Sequence, residues 1–262
     1  MVLVDTHTHL NDEQFNDDRI DMLSRAFAKH INYMLIPNVD STTIDSMHLL
    51  CQKFPKQIFP MMGLHPCSVK ATSYKDELAI VQNKLENNKY IAVGEIGIDL
   101  YWDKSTQQIQ EEAFHIQCDL AIQHQLPIAI HSRESIPLII DILKSRTQNP
   151  SGVFHCFTGN ETEAKQIIDL GFYLGIGGVV TYKNSDLKNT LRNISLQHLV
   201  LETDAPYLPP VPYRGKRNES SYITLVAEFL CTIYQLSYDE VAAITTQNAK
   251  KLFNLEKYIK NL

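Results

Sequence analysis

Histidine, glutamate and aspartate residues stand where hydrophobic runs of the sequence end, and their types suit divalent-metal chemistry. The segment VDTHTHL, residues 4–10, places His7 and His9 two positions apart directly after the first run. Side chains two apart on an extended chain point the same way, so both imidazoles are expected to face one point. Four further candidates follow later runs: Glu95, His131, His155 and Asp204. Imidazole with carboxylate is a ligand set for zinc, nickel or manganese.

Eight short hydrophobic runs precede or contain these candidates and predict eight buried strands. They span residues 2–5, 33–39, 58–65, 91–97, 127–131, 152–157, 172–178 and 199–204. The runs are continuous rather than alternating, which is typical of parallel strands covered on both faces. Amphipathic stretches separate most of them. Ser105 and Gln108 fit a capping box at the start of one helix, and Gly171 is expected to end another.

Eight strands that alternate with helices in a chain of 262 residues predict a (β/α)8 TIM barrel. An open doubly wound sheet is the rival arrangement. The sequence contains no linker, low-complexity tract or internal repeat, which favours a single domain over residues 1–262. The functional residues of such a barrel lie at the carboxyl ends of its strands. The metal-ligand candidates fall there, and so does His65.

Composition narrows the class of protein. Hydrophobic residues make up 44% of the chain, which argues against a disordered protein. We expect no signal peptide and no membrane partner, because no basic start precedes an apolar run and no apolar run reaches membrane-spanning length. Five unclustered cysteines favour a reduced, cytoplasmic setting. The formal net charge of −6 argues against a broad basic surface for nucleic acid.

The motifs of this chain resemble those of the TatD-type metal-dependent deoxyribonucleases, a family of the amidohydrolase superfamily. The resemblance runs in order through DTHTHL, GLHP, GEIGID, IHSRE, HCFTG, ETDAPYLPP and RGKRNE, and covers nearly the whole sequence. It implies two divalent ions, and the nuclease activity of the family adds magnesium to the candidate metals. The first would be held by His7, His9, Glu95 and Asp204. The second would be held by Glu95, His131 and His155.

The chemistry expected of such a centre is metal-assisted hydrolysis. Glu95 suits a bridging role because a carboxylate has two oxygens. Two ions can stabilise the attacking and the leaving oxygen and can lower the pKa of a water. With only two carboxylate ligands, the pocket is expected to keep a surplus of positive charge for a phosphodiester. Asp204 is the candidate general base, and Glu202, which lies deeper, could support a ligand histidine.

Substrate contacts are predicted from position alone. His65 and Arg133 fall near the mouth of the barrel, where either could bind a phosphate. Arg214, Lys216 and Arg217 occupy the loop after the eighth strand and could contact nucleic acid. Trp102, the one tryptophan of the chain, follows the fourth strand. Two interpretations of it stay open, stacking on a base or packing over the barrel rim.

Three functions are consistent with these observations. The resemblance favours a nuclease that cleaves phosphodiester bonds of single-stranded DNA ends, with nucleic acid as its partner and no obligate protein partner. The ligand set alone equally allows hydrolysis of a carboxylic ester or amide, such as an aminoacyl-tRNA ester. A catalytically silent binding barrel is the third alternative, and the complete set of candidate ligands argues against it.

Overall fold

The hydrophobic runs form eight parallel strands that pair in chain order in a computed structural model, which describes residues 2–260. Each strand pairs with the next one along the chain. Their bounds are β1 Leu3–Asp5, β2 Ile31–Ile36, β3 Ile58–Met62, β4 Ala92–Asp99, β5 Ile128–Arg133, β6 Gly152–Phe154, β7 Tyr173–Ile176 and β8 Leu199–Leu201.

Helices connect the strands and surround them. Their bounds are α1 Arg19–Ala28, α2 Ile44–Lys53, α3 Tyr74–Asn87, α4 Gln107–His124, α5 Ile136–Ser145, α6 Glu161–Asp169, α7 Leu187–Leu191, α8 Ile223–Tyr234, α9 Tyr238–Leu252 and α10 Leu255–Lys260. Short 3-10 turns precede several of these helices. This regular alternation is what right-handed crossovers between parallel strands require.

Hydrogen bonds between the last and the first strand nearly close the barrel. The Thr6 N–H donates to the carbonyl of Leu201 over 3.0 Å, and the Asp204 N–H donates to the carbonyl of His7 over 2.9 Å. The Thr6 hydroxyl also donates to Leu201 O. The predicted (β/α)8 barrel is therefore confirmed, and the doubly wound sheet is excluded.

One end of the barrel is sealed by apolar packing. One buried cluster joins side chains of the first three strands to the end of α9: Val4, Leu35 and Phe59 with Leu252 and Phe253. Burial of such side chains is the main source of stability in a fold of this kind. Because this cluster fills the amino-terminal end, only the carboxyl ends of the strands are open for a site.

The sequence predicted the end of α6 correctly but not the start of α4. The capping box predicted at Ser105 is wrong: Asp103 accepts the Ser105 N–H, a 3-10 turn follows, and α4 begins at Gln107. Gly171 follows α6 with a φ of +86°, as its position predicts. Asp103 caps the 3-10 turn, and α4 itself begins after Thr106 without a side-chain capping bond.

No helix within residues 2–260 combines the length and the apolar composition that a bilayer crossing needs. All five cysteines are free.

Candidate metal centre

Glu95 lies at the centre of the candidate site, on β4 inside the barrel mouth. Its side chain is only 2% exposed. The pairing of β4 with β5 shifts register between Val93 and Ile96, and such an irregularity re-aims a side chain. Asn38, in the loop after β2, fixes the backbone here, because its carbonyl accepts the Glu95 N–H and its own N–H donates to Gly94. The backbone around Glu95 is therefore held by the loop that follows β2.

One carboxylate oxygen of Glu95 faces the two amino-terminal histidines. Oε2 lies 3.0 Å from His7 Nε2 and 3.6 Å from His9 Nε2. The histidines follow β1, where the chain stays extended because Thr6 bonds to β8 and Thr8 bonds to the carbonyl of Leu35 on β2. The two imidazoles consequently point the same way, as their spacing predicts.

The other oxygen faces three further imidazoles. Oε1 of Glu95 lies 2.8 Å from His131 Nδ1, 3.4 Å from His65 Nε2 and 3.5 Å from His155 Nε2. His65, predicted as a substrate contact, is thus part of the donor cluster: its donor atom and those of Glu95 and His131 lie within 4.8 Å of one another. The sequence placed His65 at the correct strand end, and its imidazole is of ligand type, but it was assigned to the substrate rather than to a metal.

Asp204 completes the first group of donors. Its Oδ1 lies 3.4 Å from His9 Nε2 and 3.9 Å from the Nε2 atoms of His7 and His155. Its φ of +56° turns the chain out of the barrel just after β8. Aspartate tolerates this left-handed conformation better than most residues. The side chain therefore lies in the open cavity rather than in the core.

The charges of these groups shift one another's pKa values. Burial alone would raise the pKa of Glu95, but the surrounding imidazoles of His65, His7 and His155 hold it well below its ordinary value. Burial together with the neighbouring His155 lowers the pKa of His7. The His7 and His155 rings stack with centroids 3.5 Å apart. Two stacked imidazoles that face one ionised carboxylate are a set of donors for a cation.

Asp99 is a supporting carboxylate that the sequence analysis missed. Its Oδ2 lies 2.9 Å from His131 Nε2, and it is nearly buried. Burial opposes ionisation, but hydrogen bonds with His131 and with the backbone of Tyr101 and Trp102 lower the pKa of Asp99 to about 2. A usable signal was present, since Asp99 is four residues after Glu95 on one strand and so shares its face.

Glu202 supports His155 from below. Its Oε1 lies 3.0 Å from His155 Nδ1, as expected for a deeper partner of a ligand histidine. Burial lowers the pKa of His155, but the charges of Glu202, Glu95 and Asp204 outweigh it and raise that pKa to about 10. Glu202 also accepts the Cys156 N–H.

The orientation predicted for Cys156 from strand alternation is wrong. Alternation with His155 predicts that Cys156 turns away from the mouth, yet it lines the cavity. The reason is that β6 ends at Phe154 and Cys156 has a φ of +47°, so alternation no longer applies.

The donor set fits divalent ions. Three groups of donors are close enough to share an ion: His7, His9 and Glu95; His7, His155 and Asp204; His65, Glu95 and His131. Asp99 and Glu202 bring the adjacent carboxylates to four, which balances the charge of two divalent ions. Two divalent ions held here would therefore leave no surplus of positive charge, in contrast to the surplus expected when only Glu95 and Asp204 are counted.

A cavity of about 680 Å³ opens onto this cluster. Glu95, Asp204 and His65 line it, together with Arg133 at the end of β5. The Arg133 guanidinium lies 3.8 Å above the centre of the Tyr101 ring. Trp102 also lines the cavity and is 70% exposed, so it does not pack over the barrel rim.

The basic residues of the loop after β8 do not line this cavity. The Arg217 guanidinium bonds to Asp18 over 2.7 and 2.8 Å and to the carbonyl of Gln14. Arg214 lies 4.7 Å from the ring of Tyr182. Lys216 is exposed beside a separate groove. Direct substrate contact by Arg214 and Lys216 stays a prediction, whereas Arg217 is engaged in an ion pair.

Comparison with known proteins gives consistent matches. Residues 4–254 match the family described as TatD-related DNase. The uncharacterized metal-dependent hydrolase YabD of Bacillus subtilis is 38% identical over 97% of this chain and 100% of its own length. The uncharacterized metal-dependent hydrolase YcfH of Escherichia coli K12 is 31% identical, over 98% of this chain and 97% of its own.

Solved structures share the architecture. The crystal structure of YjjV, a TatD homolog from Escherichia coli K12, superposes with a TM-score of 0.90 at 30% identity, covering 96% of this chain and 98% of that one. A mutant of organophosphorus hydrolase from Deinococcus radiodurans superposes with a TM-score of 0.67 at 13% identity, covering 96% and 92% of the two chains. The second likeness concerns the fold alone.

Proposed function

This chain belongs to the family of TatD-related DNases and is a metal-dependent hydrolase, and we propose that it removes nucleotides from the ends of single-stranded DNA. The observation that carries the proposal is Glu95, whose two oxygens face two separate groups of imidazoles in one cavity. This is the arrangement that a carboxylate shared by two ions needs. The fitting residues are His7, His9, Glu95 and Asp204 for one ion, and Glu95, His131 and His155, with His65 beside them, for the other.

The shape of the cavity supports action on strand ends. Glu95 lies almost fully buried at its floor, and its volume of about 680 Å³ is in the range of small-molecule sites. Such a cavity admits the end of a flexible strand more readily than a duplex. Ions of zinc, manganese, nickel or magnesium in this position would polarise the phosphodiester and lower the pKa of an attacking water.

Asp204 is proposed as the general base. It lines the cavity, and at 14% exposure its carboxylate is accessible, whereas Glu202 is fully buried. Burial raises the pKa of Asp204, but the charges of the neighbouring histidines, above all His155, lower it, so the carboxylate is ionised and can accept a proton. Asp204 accepts a proton from the water while the water oxygen forms its bond to phosphorus. The ester bond to the leaving sugar oxygen then breaks, and that oxygen takes up a proton from solvent, to which Asp204 releases the proton that it accepted.

Arg133 is proposed to hold the phosphate during this step. It is the residue two positions after His131 on β5, so both side chains share a face that ends at the cavity. A guanidinium presents donors that match two phosphate oxygens. The free state of all five cysteines supports a cytoplasmic setting for the reaction.

A substrate panel tests the proposal. The metal-loaded protein is offered single-stranded DNA, RNA of the same sequence and an aminoacyl-tRNA, with Asp204→Asn as the inactive control. We expect stepwise shortening of the DNA from one end. Turnover of the aminoacyl ester alone would replace the nuclease with an esterase. A folded, metal-loaded protein that turns over none of the three would indicate a binding barrel.

A further inference from the structure

Trp102 is the most exposed of the large hydrophobic side chains in residues 2–260, and it stands at the mouth of the cavity. Tyr207 and Leu208, 48% and 38% exposed, line the same cavity. Single exposed hydrophobic residues are ordinary on a protein surface. Three that line one cavity indicate a binding surface for an apolar group.

Asp99 ties Trp102 to the candidate metal centre. Its Oδ1 accepts the N–H of Tyr101 over 3.0 Å and that of Trp102 over 3.3 Å. Its Oδ2 lies 2.9 Å from His131 Nε2. One buried carboxylate thus fixes both the ring of a candidate ligand and the backbone that carries the indole. The backbone that carries the indole is therefore fixed relative to the candidate metal centre, although it lies in a loop.

Tyr101 and Arg133 place a positive charge beside the indole. The Tyr101 and Trp102 rings meet edge to face, with centroids 4.9 Å apart and planes at 87°. The Arg133 guanidinium lies 3.8 Å above Tyr101 and 5.3 Å from the Trp102 ring. Arg133 thus covers the Tyr101 ring, while Trp102 stays 70% exposed. A flat apolar surface next to a cation matches the base and the phosphate of one nucleotide.

We propose that Tyr101, Trp102 and Arg133 form a nucleotide-recognition platform, on which Trp102 stacks against the base of the terminal nucleotide while Arg133 contacts its phosphate. The proposal rests on the proposed function and names how that site selects its substrate. Every base has a π face, so stacking binds a strand end without reading its sequence. The platform supplies the affinity that a chain with a net charge of −6 does not obtain from a basic surface.

Kinetics with a thymidine dinucleotide and two counterparts, each lacking one base, test the platform. Trp102→Ala is expected to raise KM for the dinucleotide by about 5- to 100-fold, because a lost base stack weakens binding to that extent. Its kcat should change little, and Trp102→Phe should keep most of the affinity. For the counterpart that lacks the stacked base, Trp102→Ala should leave KM unchanged. Leu49→Ala is the matched control, since Leu49 is 68% exposed on α2 and does not line the cavity.

Fluorescence gives a readout that is independent of turnover. Trp102 is the one tryptophan of the chain, so the intact dinucleotide should quench the emission of the Asp204→Asn protein. The counterpart that lacks the stacked base should quench it less. The platform is overturned if Trp102→Ala shifts KM no more than Leu49→Ala does, or if it shifts KM equally for all three compounds.

The platform and the nuclease can fail separately. Base-dependent quenching by a dinucleotide that the metal-loaded parent does not cleave would uphold the platform and refute the nuclease. Cleavage with neither quenching nor an effect of Trp102→Ala would refute the platform and uphold the nuclease.

Discussion

Asp204 and Glu202 lie two residues apart, yet their surroundings give them different roles. Glu202 is fully buried and 3.0 Å from His155 Nδ1, so it fixes the orientation of that ring. Asp204 lines the cavity, where a water and a substrate can reach it. Their order along the chain shows which carboxylate is nearer the loop. The structure adds that the deeper one is already committed to a histidine.

Asp204→Asn tests the assignment of the base. The variant keeps the size of the side chain and one oxygen donor but loses its charge and basicity. We expect at least about a 100-fold fall in kcat under saturating metal, with an unchanged melting temperature. Asp186→Asn, on the exposed surface before α7, is the matched control. A folded and metal-loaded Asp204→Asn protein within a few-fold of the parental rate would assign the base elsewhere.

The sequence predicted the donor residues better than their supports. The carboxyl ends of parallel strands converge, so histidines and acids placed there can be expected to meet, and the structure brings all six candidates together. Asp99 escaped notice because the predicted fourth strand ended at residue 97, whereas β4 extends to Asp99. Arg217 was grouped with Arg214 and Lys216 because they share a basic loop, and nothing in that loop reveals a bond to Asp18.

At the scale of elements, β7 makes room for the carboxylate on which His155 depends. A Cβ added to Gly175 would overlap the Glu202 side chain. A Cβ added to Gly177, two residues on, would meet its nearest neighbour at an ordinary 3.5 Å. Position 175 therefore needs a glycine because the buried carboxylate of Glu202 occupies the space, and not because the strand requires one.

Gly175→Ala should lower stability and disturb the centre. Overpacking of a filled interior costs about 1–3 kcal/mol. Displacement of Glu202 should also reorient His155 and lower the number of ions retained after dialysis. Denaturant unfolding and metal analysis measure the two effects, with Gly177→Ala as the nearly neutral control. Equal behaviour of the two variants would show that Glu202 moves aside freely.

The loop after β8 is joined to α1 by Arg217. Its guanidinium bonds to Asp18 and to Gln14 O, and it lies over the ring of Phe15. We expect Arg217→Ala to lower the melting temperature while cleavage of a dinucleotide is unchanged. Lys216→Ala, at the exposed neighbouring position, should change neither. A loss of cleavage by Arg217→Ala at unchanged stability would return Arg217 to the substrate-binding residues.

For the whole molecule, the barrel was predictable because its hydrophobic runs number eight and alternate with helices. The points at which the strands end were not predictable. The runs at 2–5, 152–157 and 199–204 became strands of three residues each. After each of these strands the chain leaves the regular ladder on its way to the cavity, and the bonds that hold it come from neighbouring strands, as at Thr6 and Thr8. Such partners cannot be inferred from local sequence.

The charge of the whole molecule predicts a weak dependence of binding on salt. The chain carries a net charge of −6, four carboxylates surround the candidate ions, and Arg133 is the basic side chain that lines the cavity. A single strand held at one or two phosphates should give a slope of log K against log salt no steeper than about −1.5. Fluorescence titrations of the Asp204→Asn protein with a single-stranded oligonucleotide measure it. A slope near −4 would indicate a basic track outside the cavity.

The cluster around Glu95 is proposed to be a two-ion hydrolytic centre. The direct measurement is turnover of single-stranded DNA against ions bound per chain, starting from chelated protein, with the melting temperature recorded at each point. Turnover should be absent without ions, should rise as they bind and should saturate at two per chain. Glu95→Gln should retain fewer ions after dialysis and stay inactive, because both sites lose a shared charge. Undiminished turnover after complete removal of metal, or two ions retained by Glu95→Gln, would contradict the account.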